Sequence, residues 1–591
     1  MVSDGSSESD APANKGEIGT NGAGRPAAGD EQSPYSNLRF HQIFPALTDA
    51  EIDRMHRFGA LCCYASGDML YRAGGFSPGM FVLLSGTIRY AGRDGLGRRR
   101  LLRTQVQRGE FTSDIGMLSG KPALVDAEVI ENVEVLVIPP EKLRALMIAE
   151  AELGEKIMRA LILRRVAAIE RGQGAVLVGS SDNPRLLALQ HFLRRNGFPH
   201  MTLDMVDADA IALLERLTPQ SDDMPLAICP DGTVLRNPDE GQLASCLGLL
   251  PEFDPAHIYD VAIVGAGPAG LAAAVYAASE GLSVAVFDCR APGGQAGLSA
   301  RIENFLGFPT GISGQALAGR AFIQAQKFGA HIAIPTEVKA LHCEEYPLEV
   351  ELASSRRVAA RTVIIASGAE YRRPAVDRLG RFEGRGIYYW ATPIEARLCR
   401  NEPVLLVGGG NSAGQAVVFL ASHAAHVHVI VRGPDLEHSM SRYLIDRIAA
   451  LPNVTIHTNS EITTLEGEER LELVHYRRGD SAPESLATRH LFLFIGAEPN
   501  TGWLHTCGVS LDAKGFVLTG ADLAEDGTRP LLLPLQTSVA GVFAIGDVRS
   551  GSTKRVAAAV GEGAAVVAQI HQFLAAQPET AGVSEVAARI R

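Results

Sequence analysis

The sequence predicts a multidomain protein that joins an α+β part to an α/β part. Three observations support this prediction. Short strands separated by glycine turns occupy the first part of the chain, a strand–helix–strand pattern follows, and two glycine-rich turns lie in the second half, each between an apolar strand and a helix. Many short strands are typical of a small β-barrel with flanking helices, and a glycine turn that leads from a strand into a helix is typical of a dinucleotide-binding domain.

The bulk composition excludes several classes of function. The chain has 591 residues, of which 46% are hydrophobic, a length that allows about four domains. A net charge of −12 argues against nucleic-acid binding, which needs a basic face. The cysteines form no C-x-x-C pair, so neither a thiol redox motif nor a metal site is expected. The polar N-terminus and the lack of a long apolar run predict a cytoplasmic protein without a membrane span.

Residues 1–36 are rich in Ser, Gly, Ala and acidic residues, and we expect a disordered leader there because they offer too little apolar surface for a core. Residues 37–170 are predicted to form the barrel with its helices. This segment resembles the cyclic nucleotide-binding domain family through residues 81–86 and 109–120.

The resemblance implies that a Glu and an Arg would bind a cyclic phosphate. Here Asp114 stands near the Glu position, and Ala123 and Leu124 stand where the Arg is expected. A phosphate without that charge-assisted partner would bind poorly. We therefore favour a barrel that is kept for interaction or sensing over one that binds a cyclic nucleotide.

Residues 174–250 form the next predicted unit, with the order strand, helix, strand, helix, hairpin and helix. The pattern resembles a thioredoxin-like α/β fold, and Met224-Pro225 stands where that fold keeps a cis proline. The family carries a C-x-x-C after its first strand, but residues 179–183 contain no thiol. Thiol–disulfide exchange from this loop is therefore excluded, and a scaffold or docking role is expected.

The first glycine turn begins at Gly265, directly after the apolar strand 260–264. Gly265 permits a tight turn, Gly267 lets the backbone approach a pyrophosphate, and Gly270 lets the helix pack on the sheet. The helix N-terminus supplies amide donors to phosphates. The next strand ends at Asp288, where a carboxylate can accept hydrogen bonds from ribose hydroxyl groups.

Four further stretches, residues 293–295, 302–309, 363–369 and 542–548, resemble the thioredoxin reductase-like branch of two-dinucleotide flavoproteins. The resemblance implies FAD, NADPH, a homodimer and two Rossmann-like domains of the three-layer ββα type. The FAD-binding domain is expected over residues 258–378 and 495–578, with the NAD(P)H-binding domain inserted as residues 379–494.

By the same resemblance Asp547 bonds the ribityl chain of FAD, and the start of the last helix lies near the isoalloxazine ring. The residues that we predict to bind FAD are Gly265, Gly267, Pro268, Ala269, Gly270, Asp288, Gly294, Gln295, Asn304, Gly546, Asp547, Arg555, Val556 and Ala557.

The second glycine turn predicts the NADPH site. The strand after it ends in Arg432 instead of an acid, and an Arg can pair with a 2′-phosphate, which favours NADPH over NADH. The family usually carries a tandem His-Arg-Arg here, so one basic residue is lost, and a solvated Arg432 is the alternative. The predicted NADPH-binding residues are Gly408, Gly410, Asn411, Ser412, Ala413, Arg432 and Arg442.

The family's redox dithiol lies in the NADPH-binding domain, and Trp390 and Pro393 occupy its two positions here. We therefore assign no catalytic side chain with certainty. One hypothesis is an NADPH-dependent flavoenzyme that reduces a quinone, a ferredoxin-like protein, oxygen or a partner's disulfide. The alternative is a regulatory flavoprotein that signals through its N-terminal domains. The aromatic run 388–390 either covers a flavin face or packs at a domain interface.

Overall fold

A computed structural model describes residues 40–93, 99–172, 174–250, 253–523 and 533–577. The leader predicted over residues 1–36 lies outside these ranges. Each helix within them is too short or too polar to span a bilayer. Four units follow one another, named here the barrel unit (40–172), the small α/β unit (174–250), the first nucleotide unit (253–378 and 495–577) and the inserted nucleotide unit (379–494).

The barrel unit is an antiparallel sheet with strand order β1-β5-β3-β4, in which β2 also pairs with β5. Residues of β3 are buried on both faces: Phe81 and Leu83 pack in one core, and Val82 and Leu84 pack against helices in another. Its elements are α1 (Phe40–Ile43), α2 (Asp49–Met55), β1 (Ala60–Tyr64), β2 (Met69–Tyr71), β3 (Met80–Arg93), β4 (Arg99–Gln105), β5 (Asp126–Ile138), α3 (Pro140–Ala149) and α4 (Ala151–Glu170).

The small α/β unit has a four-stranded sheet that follows the element order expected for it. The strands are ordered β7-β6-β8-β9, with β6 parallel to β7 and antiparallel to β8. The Met224–Pro225 peptide bond is cis. The elements are β6 (Ala175–Val178), α5 (Pro184–Arg195), β7 (His200–Leu203), α6 (Ala208–Leu217), β8 (Leu226–Ile228), β9 (Val234–Arg236) and α7 (Glu240–Cys246).

The first nucleotide unit begins with a parallel sheet that pairs β12, β11, β10 and β15, and it continues into antiparallel β14 and β13. The elements up to the insertion are β10 (Tyr259–Val264), α8 (Pro268–Ser279), β11 (Val284–Phe287), α9 (Gly314–Lys327), β12 (His331–Ala333), β13 (Val338–His342), β14 (Leu348–Leu352), β15 (Arg357–Ile365) and β16 (Ala369–Tyr371).

The inserted nucleotide unit has a parallel sheet of order β17-β24-β18-β19-β20 and a three-stranded antiparallel sheet, β21-β22-β23. Its elements are α10 (Leu379–Phe382), β17 (Ile387–Tyr388), α11 (Pro393–Leu398), β18 (Pro403–Val407), α12 (Asn411–Ala421), β19 (His426–Ile430), α13 (Arg442–Ala449), β20 (Val454–His457), β21 (Ser460–Glu466), β22 (Leu473–Arg478), β23 (Glu484–Ala487) and β24 (Leu491–Leu493).

The chain returns to the first nucleotide unit through β25 (Ala497–Pro499), which pairs with β16 and so forms a two-stranded link beside the outgoing strand. Next, β26 (Val542–Ala544) joins the parallel sheet beside β15, and α14 (Val556–Ala576) packs on α8. The two parallel sheets confirm the predicted Rossmann-like pair, and their glycine turns fix the position of the site.

Candidate functional site

The first glycine turn, residues 265–270, joins β10 to α8. Gly265 has a φ of +113°, and a Cβ there would overlap the Ala366 carbonyl group. A Cβ on Gly270 would overlap the Gly265 carbonyl oxygen, so α8 can approach β10 this closely only with glycine at that position. Gly267 differs, because no atom of the described residues lies within 4 Å of a Cβ built on it. The backbone at Gly267 is therefore open to a bound group.

The second glycine turn, residues 408–413, joins β18 to α12. Gly408 has a φ of +145°, and a Cβ there would overlap the Phe494 carbonyl oxygen. Gly410 is the N-cap residue of α12, and the side-chain oxygen of Asn411 accepts a hydrogen bond of 2.7 Å from the Ser441 amide. These contacts hold the start of α12 against the segment that precedes α13.

Both turns lead to one cavity of about 1050 Å³. Three helices begin at its wall: α8 through Pro268 and Ala269, α12 through Asn411 and Ser412, and α14 through Val556. The N-terminus of a helix carries unpaired amide N–H groups and the positive end of the helix dipole. The cavity wall therefore offers three places that stabilise anionic groups.

Most of the residues predicted for FAD line this cavity. Gly270 and Ala557 do not, and the packing of Gly270 against Gly265 is the helix–sheet contact expected for it. The predicted residues on the wall are Gly265, Gly267, Pro268, Ala269, Asp288, Gly294, Gln295, Asn304, Gly546, Asp547, Arg555 and Val556.

Of the residues predicted for NADPH, Asn411 and Ser412 line the cavity. The others are described residues that lie away from its wall, and Ala413 is buried in the helix packing. Those others are Gly408, Gly410, Ala413, Arg432 and Arg442.

Arg432 and Arg442 differ in their surroundings. Arg442 forms ion pairs with Asp446 at 2.9 Å and with Glu437 at 3.4 Å. Arg432 is exposed and lies just beyond the end of β19, after Val431, and it has no ion-pair partner within the described part of the chain. Of these two arginines, only Arg432 therefore has a guanidinium group that forms no ion pair with a described residue.

Asp288 holds the first glycine turn. Its two carboxylate oxygens accept hydrogen bonds from the backbone amides of Ala266 at 2.9 Å, Arg290 at 2.9 Å and Ala291 at 3.1 Å. The side chain also lines the cavity. The contact with a ribose hydroxyl stays a prediction, and the shape of the turn already depends on this carboxylate.

Asp547 is a partly desolvated carboxyl group that also lines the cavity. Burial raises its pKa above the ordinary value of 3.8, the charge of Lys554 lowers it in part, and the nearby Glu562 raises it further. Lys554 donates a hydrogen bond of 2.8 Å to the Asp547 backbone carbonyl and not to the carboxylate. A desolvated carboxyl group favours a hydrogen-bonding partner from a ligand, and hydroxyl groups are suited to it.

Trp390, at a position where the resemblance implies a redox cysteine, belongs to a buried polar cluster. Its indole Nε1 donates a hydrogen bond of 2.9 Å to Glu395 Oε1, and Glu395 is only 2% exposed. His191 Nε2 lies 2.7 Å from the same oxygen, and the imidazole meets the Trp390 ring edge-on at 5.8 Å. Burial opposes ionisation of Glu395, but hydrogen bonds from His191 and Thr392 outweigh it, so the pKa of Glu395 lies below 4.5.

The tyrosines before Trp390 line the cavity and also make contacts inside their own unit, and cover of a flavin face by the aromatic run stays a prediction. Tyr388 and Tyr389 line the cavity. The Tyr388 ring also stacks on His490 at 6.1 Å, and the Tyr389 hydroxyl donates a hydrogen bond of 2.6 Å to Glu383. The run therefore forms part of the cavity wall. Its tyrosines are held inside their own unit, whereas Trp390 contacts His191 of the small α/β unit.

The described cysteines offer no dithiol at the cavity. Cys289 is the one cysteine on the wall, and desolvation together with the adjacent Asp288 raises its pKa to about 11. Burial raises the pKa of Cys399 to about 12, which keeps that thiol protonated and unreactive. Two disulfides lie elsewhere, Cys229–Cys246 and Cys343–Cys507.

Part of the cavity wall comes from the small α/β unit, which the sequence analysis did not predict to contribute to the site. Helix α5 of the small α/β unit contributes five residues to the wall, and His191 is among them. No local motif marks these side chains, since the contact joins segments about 200 residues apart. The five residues are Pro184, Leu187, Ala188, His191 and Arg195.

The barrel unit contains an internal ion pair at its predicted phosphate position. Asp114 accepts a hydrogen bond of 2.6 Å from the Gly116 amide, and Arg165 of α4 lies 3.6 Å from the other carboxylate oxygen. Neither Ala123 nor Leu124 is basic, and the guanidinium beside Asp114 comes instead from α4. Asp114 is thus already paired within the protein.

The same part of the barrel unit packs against the first nucleotide unit. The segment 115–119 contacts α9, and the Lys121 ammonium lies 5.4 Å from the centre of the Phe322 ring. Ala318, one turn before Phe322 in α9, packs under the cavity wall, because a Cβ on Gly293 would overlap it. Helix α9 therefore connects the barrel unit to the loop that carries Gly294 and Gln295.

Two family models match the chain. The model described as pyridine nucleotide-disulphide oxidoreductase covers residues 259–563, more than half of the chain. The model described as cyclic nucleotide-binding domain covers residues 61–150.

Several proteins are similar to the second half of the chain. NADPH-dependent thioredoxin reductase 3 from Arabidopsis thaliana is 34% identical over 325 residues, which are 54% of this chain and 58% of that protein. Thioredoxin reductase from Mycoplasmopsis pulmonis is 32% identical over 307 residues, 52% of this chain and 94% of that protein. The crystal structure of T. acidophilum thioredoxin reductase is 29% identical, with 54% of this chain and 99% of that chain covered and a TM-score of 0.49.

Proposed function

Because the chain belongs to the pyridine nucleotide-disulphide oxidoreductase family, we propose that it transfers hydride from NADPH to FAD and passes the electrons to an acceptor without an internal redox dithiol. The chain is an NADPH-dependent flavoprotein oxidoreductase of the thioredoxin reductase-like type, with FAD and NADPH as its cofactors. The acceptor and the route of the electrons are the parts that we propose.

The residues present fit these cofactors. A Cβ built on Gly267 would meet open space, so the backbone there can approach a bound group. The backbone of Gly294 lies close by, since a Cβ built on Gly294 would be 3.2 Å from Gly267 Cα. The N-termini of α8 and α12 line the same cavity, so each of two diphosphate groups can bind at the N-terminus of a helix. The desolvated carboxyl group of Asp547 suits the hydroxyl groups of a ribityl chain.

Each wall has a definite task in this proposal. When bound, FAD accepts hydride from NADPH and supplies the electrons to the acceptor. The starts of α8 and α12 bind the diphosphates, and Asp547 orients the flavin side chain. The start of α14, with Arg555 and Val556 on the wall, stabilises negative charge that develops on the bound ring. Tyr389 and Trp390 keep bulk water away from this part of the cavity.

The cavity wall has no pair of cysteines among the described residues, and this supports direct transfer to the acceptor. Trp390 is hydrogen-bonded into a buried cluster, and Pro393 is the first residue of α11, so neither position can store electrons as a dithiol. Cys289 has a raised pKa and no second cysteine beside it among the residues that line the cavity. We infer that the flavin passes its electrons directly to the acceptor, with no protein disulfide as an intermediate carrier.

The single observation that carries this proposal is the convergence of both glycine turns on one cavity. The test is anaerobic mixing of the flavin-loaded protein with NADPH, followed by oxidised acceptors. Rapid loss of the flavin absorbance and its return with an acceptor are expected. A flavin that NADPH leaves oxidised would contradict the proposal.

A second candidate function is regulation, and the contacts of α9 favour it. The helix contacts residues 115–119 of the barrel unit, and Ala318 on the same helix supports the loop before Gly294. A change in the barrel can therefore reach the flavin through one rigid element. Steady-state turnover distinguishes the functions: an enzyme turns over with an acceptor at about 1 s⁻¹ or faster, whereas a sensor is reduced without turnover.

We propose further that the protein is cytoplasmic and homodimeric, as the composition and the resemblance predict. Its partners would be NADPH and an acceptor, either a protein or a small molecule, with no nucleic acid. Cyclic nucleotide binding is not part of the proposal, because Asp114 is paired with Arg165. Size-exclusion chromatography coupled to light scattering tests the dimer.

A further inference from the structure

We propose that helix α5 is the wall that sets acceptor specificity, closing the cavity to folded protein disulfides and admitting a flat, uncharged two-electron acceptor of the quinone class. The inference rests on the proposed function and adds its substrate class. Ala188 and Leu187 are the specificity-determining residues, and His191 positions the helix.

Helix α5 presents one continuous face to the cavity. Pro184, Leu187, Ala188, His191 and Arg195 recur at helical spacing, so they form a single stripe along the helix. A helix of this length extends for about 18 Å. The stripe therefore runs along the cavity and is not a contact at one end.

The wall is fixed to both nucleotide units. His191 Nε2 lies 2.7 Å from Glu395 of the inserted unit. On the side of the first unit, Arg195 donates a hydrogen bond of 3.1 Å to the Gly294 carbonyl, and Asn196 donates one of 2.9 Å to the Arg290 carbonyl. Displacing α5 breaks all of these bonds together and leaves the buried Glu395 carboxylate without its imidazole partner.

The helix covers the place that a protein disulfide would need to reach. The resemblance puts the family's redox pair at Trp390 and Pro393, and the His191 ring lies edge-on against Trp390. An approaching folded protein would have to remove α5 before its sulfur atoms came near the flavin. The small α/β unit, whose pattern resembles a thioredoxin, thus occupies that approach with a helix that carries no thiol.

A small molecule has both a way in and a suitable surface. Two charged side chains that line the cavity are exposed to solvent, which shows that the cavity is open there: Glu370 is 66% exposed and Arg373 is 70% exposed. Leu187 and Ala188 line the same cavity as the aromatic side chains Tyr389 and Trp390. Apolar and aromatic walls with few polar groups are typical of sites for flat organic ligands.

The chemistry balances with the established cofactors. The overall reaction is NADPH + H⁺ + quinone → NADP⁺ + hydroquinone. The hydride of NADPH supplies two electrons and one proton, and water supplies the second proton. Both carbonyl groups of the quinone become hydroxyl groups, and no sulfur is oxidised or reduced.

The test compares two acceptors on the wild-type, flavin-loaded chain: 2-methyl-1,4-naphthoquinone and oxidised thioredoxin. We expect NADPH-dependent reduction of the naphthoquinone, with thioredoxin reduced at least a hundredfold more slowly. Thioredoxin reduced as fast as the naphthoquinone would overturn the inference. Because this comparison needs no variant, it decides the question even if a substitution disturbs folding.

A matched pair of variants locates the acceptor. Ala188→Trp fills the cavity from α5, and Ala212→Trp makes the same change at an exposed position of α6. Calorimetric titration of the oxidised protein with the naphthoquinone should show at least tenfold weaker binding for Ala188→Trp and wild-type binding for Ala212→Trp. Equal binding by both variants would overturn the inference. A flavin that NADPH fails to reduce would instead overturn the proposed function, since the titration is independent of reduction.

Discussion

Asp547 shows how one side chain can carry a cofactor assignment. Burial raises its pKa, and the neighbouring Lys554 ammonium bonds the backbone carbonyl and not the carboxylate. Asp547→Ala should weaken FAD binding about tenfold or more, because a hydrogen bond to a charged group contributes about 1.5–3 kcal/mol. The flavin absorbance that remains after dialysis measures this loss. Asp377→Ala, at an exposed position away from the cavity, is the control, and full retention of flavin by Asp547→Ala would refute the assignment.

Arg432 is the residue that we predict to distinguish NADPH from NADH. Its exposed guanidinium follows β19, whereas Arg442 is engaged by Asp446. Arg432→Glu should raise the KM for NADPH about tenfold and change the KM for NADH little, since a charge-assisted contact with the 2′-phosphate is lost. Arg442→Glu serves as a comparison and should have the smaller effect. Equal changes for both cofactors in Arg432→Glu would show that this residue does not bind the phosphate.

Glu395 gives a pH-dependent prediction. Its pKa in the folded protein lies below 4.5, so the stability that it contributes is present above about pH 4.5 and is lost as the pH falls through the folded value. Glu395→Gln should lower the free energy of unfolding at pH 7 by about 3 kcal/mol, because it breaks a buried pair. The difference from wild type should shrink below pH 4.5.

Urea unfolding followed by tryptophan fluorescence at pH 7 and pH 4 measures this difference. The control is Glu349→Gln, which removes an ion pair with Arg357 whose side chains are 40% and 52% exposed. That change should cost less than about 1 kcal/mol at either pH. A Glu395→Gln effect that is as small as the control, or that grows towards acid, would be inconsistent with the buried cluster.

At the scale of elements, two glycines in the turn between β10 and α8 have different roles, one in folding and one in cofactor binding. A methyl group on Gly270 would overlap the Gly265 carbonyl oxygen, whereas a methyl group on Gly267 meets open space. Gly267→Ala should therefore keep its melting temperature without FAD and lose most of its affinity for FAD. Gly270→Ala should lower the melting temperature of the same apoprotein by several degrees. Thermal melts and flavin titrations distinguish the two, and a Gly267→Ala variant that binds FAD normally would contradict this role.

Elements that carry their own local signal could be predicted from the sequence. The strand, glycine turn and helix around Gly265 and Gly408 follow from backbone sterics, and most residues predicted for FAD line the cavity. Arg432 and Arg442, which we predicted for NADPH, lie away from that wall, and their role stays a prediction. The ion pairs of Arg442 with Glu437 and Asp446 lie inside the inserted unit. The sequence pattern marked Arg442 as basic but did not indicate that these acids would pair with it.

At the scale of the whole molecule, the site depends on contacts that no segment predicts alone. His191 Nε2 lies 2.7 Å from Glu395 Oε1, although the two residues are about 200 positions apart in the sequence. Likewise, Arg165 of α4 supplies the guanidinium beside Asp114 that the local sequence lacks. Tertiary packing decides which charged side chains pair with one another. The resemblance of each unit to a family could therefore indicate the fold of that unit, but not which residues of other segments its side chains would contact.

The most direct test of the account is an anaerobic titration of the FAD-loaded chain with NADPH while the flavin absorbance is recorded. A flavin that exchanges electrons with no dithiol takes up a single hydride, so the absorbance should be lost completely at one equivalent of NADPH per FAD. A titration that needs two equivalents would reveal a redox-active disulfide in contact with the flavin. That result, or a flavin that NADPH does not reduce at all, would contradict the account.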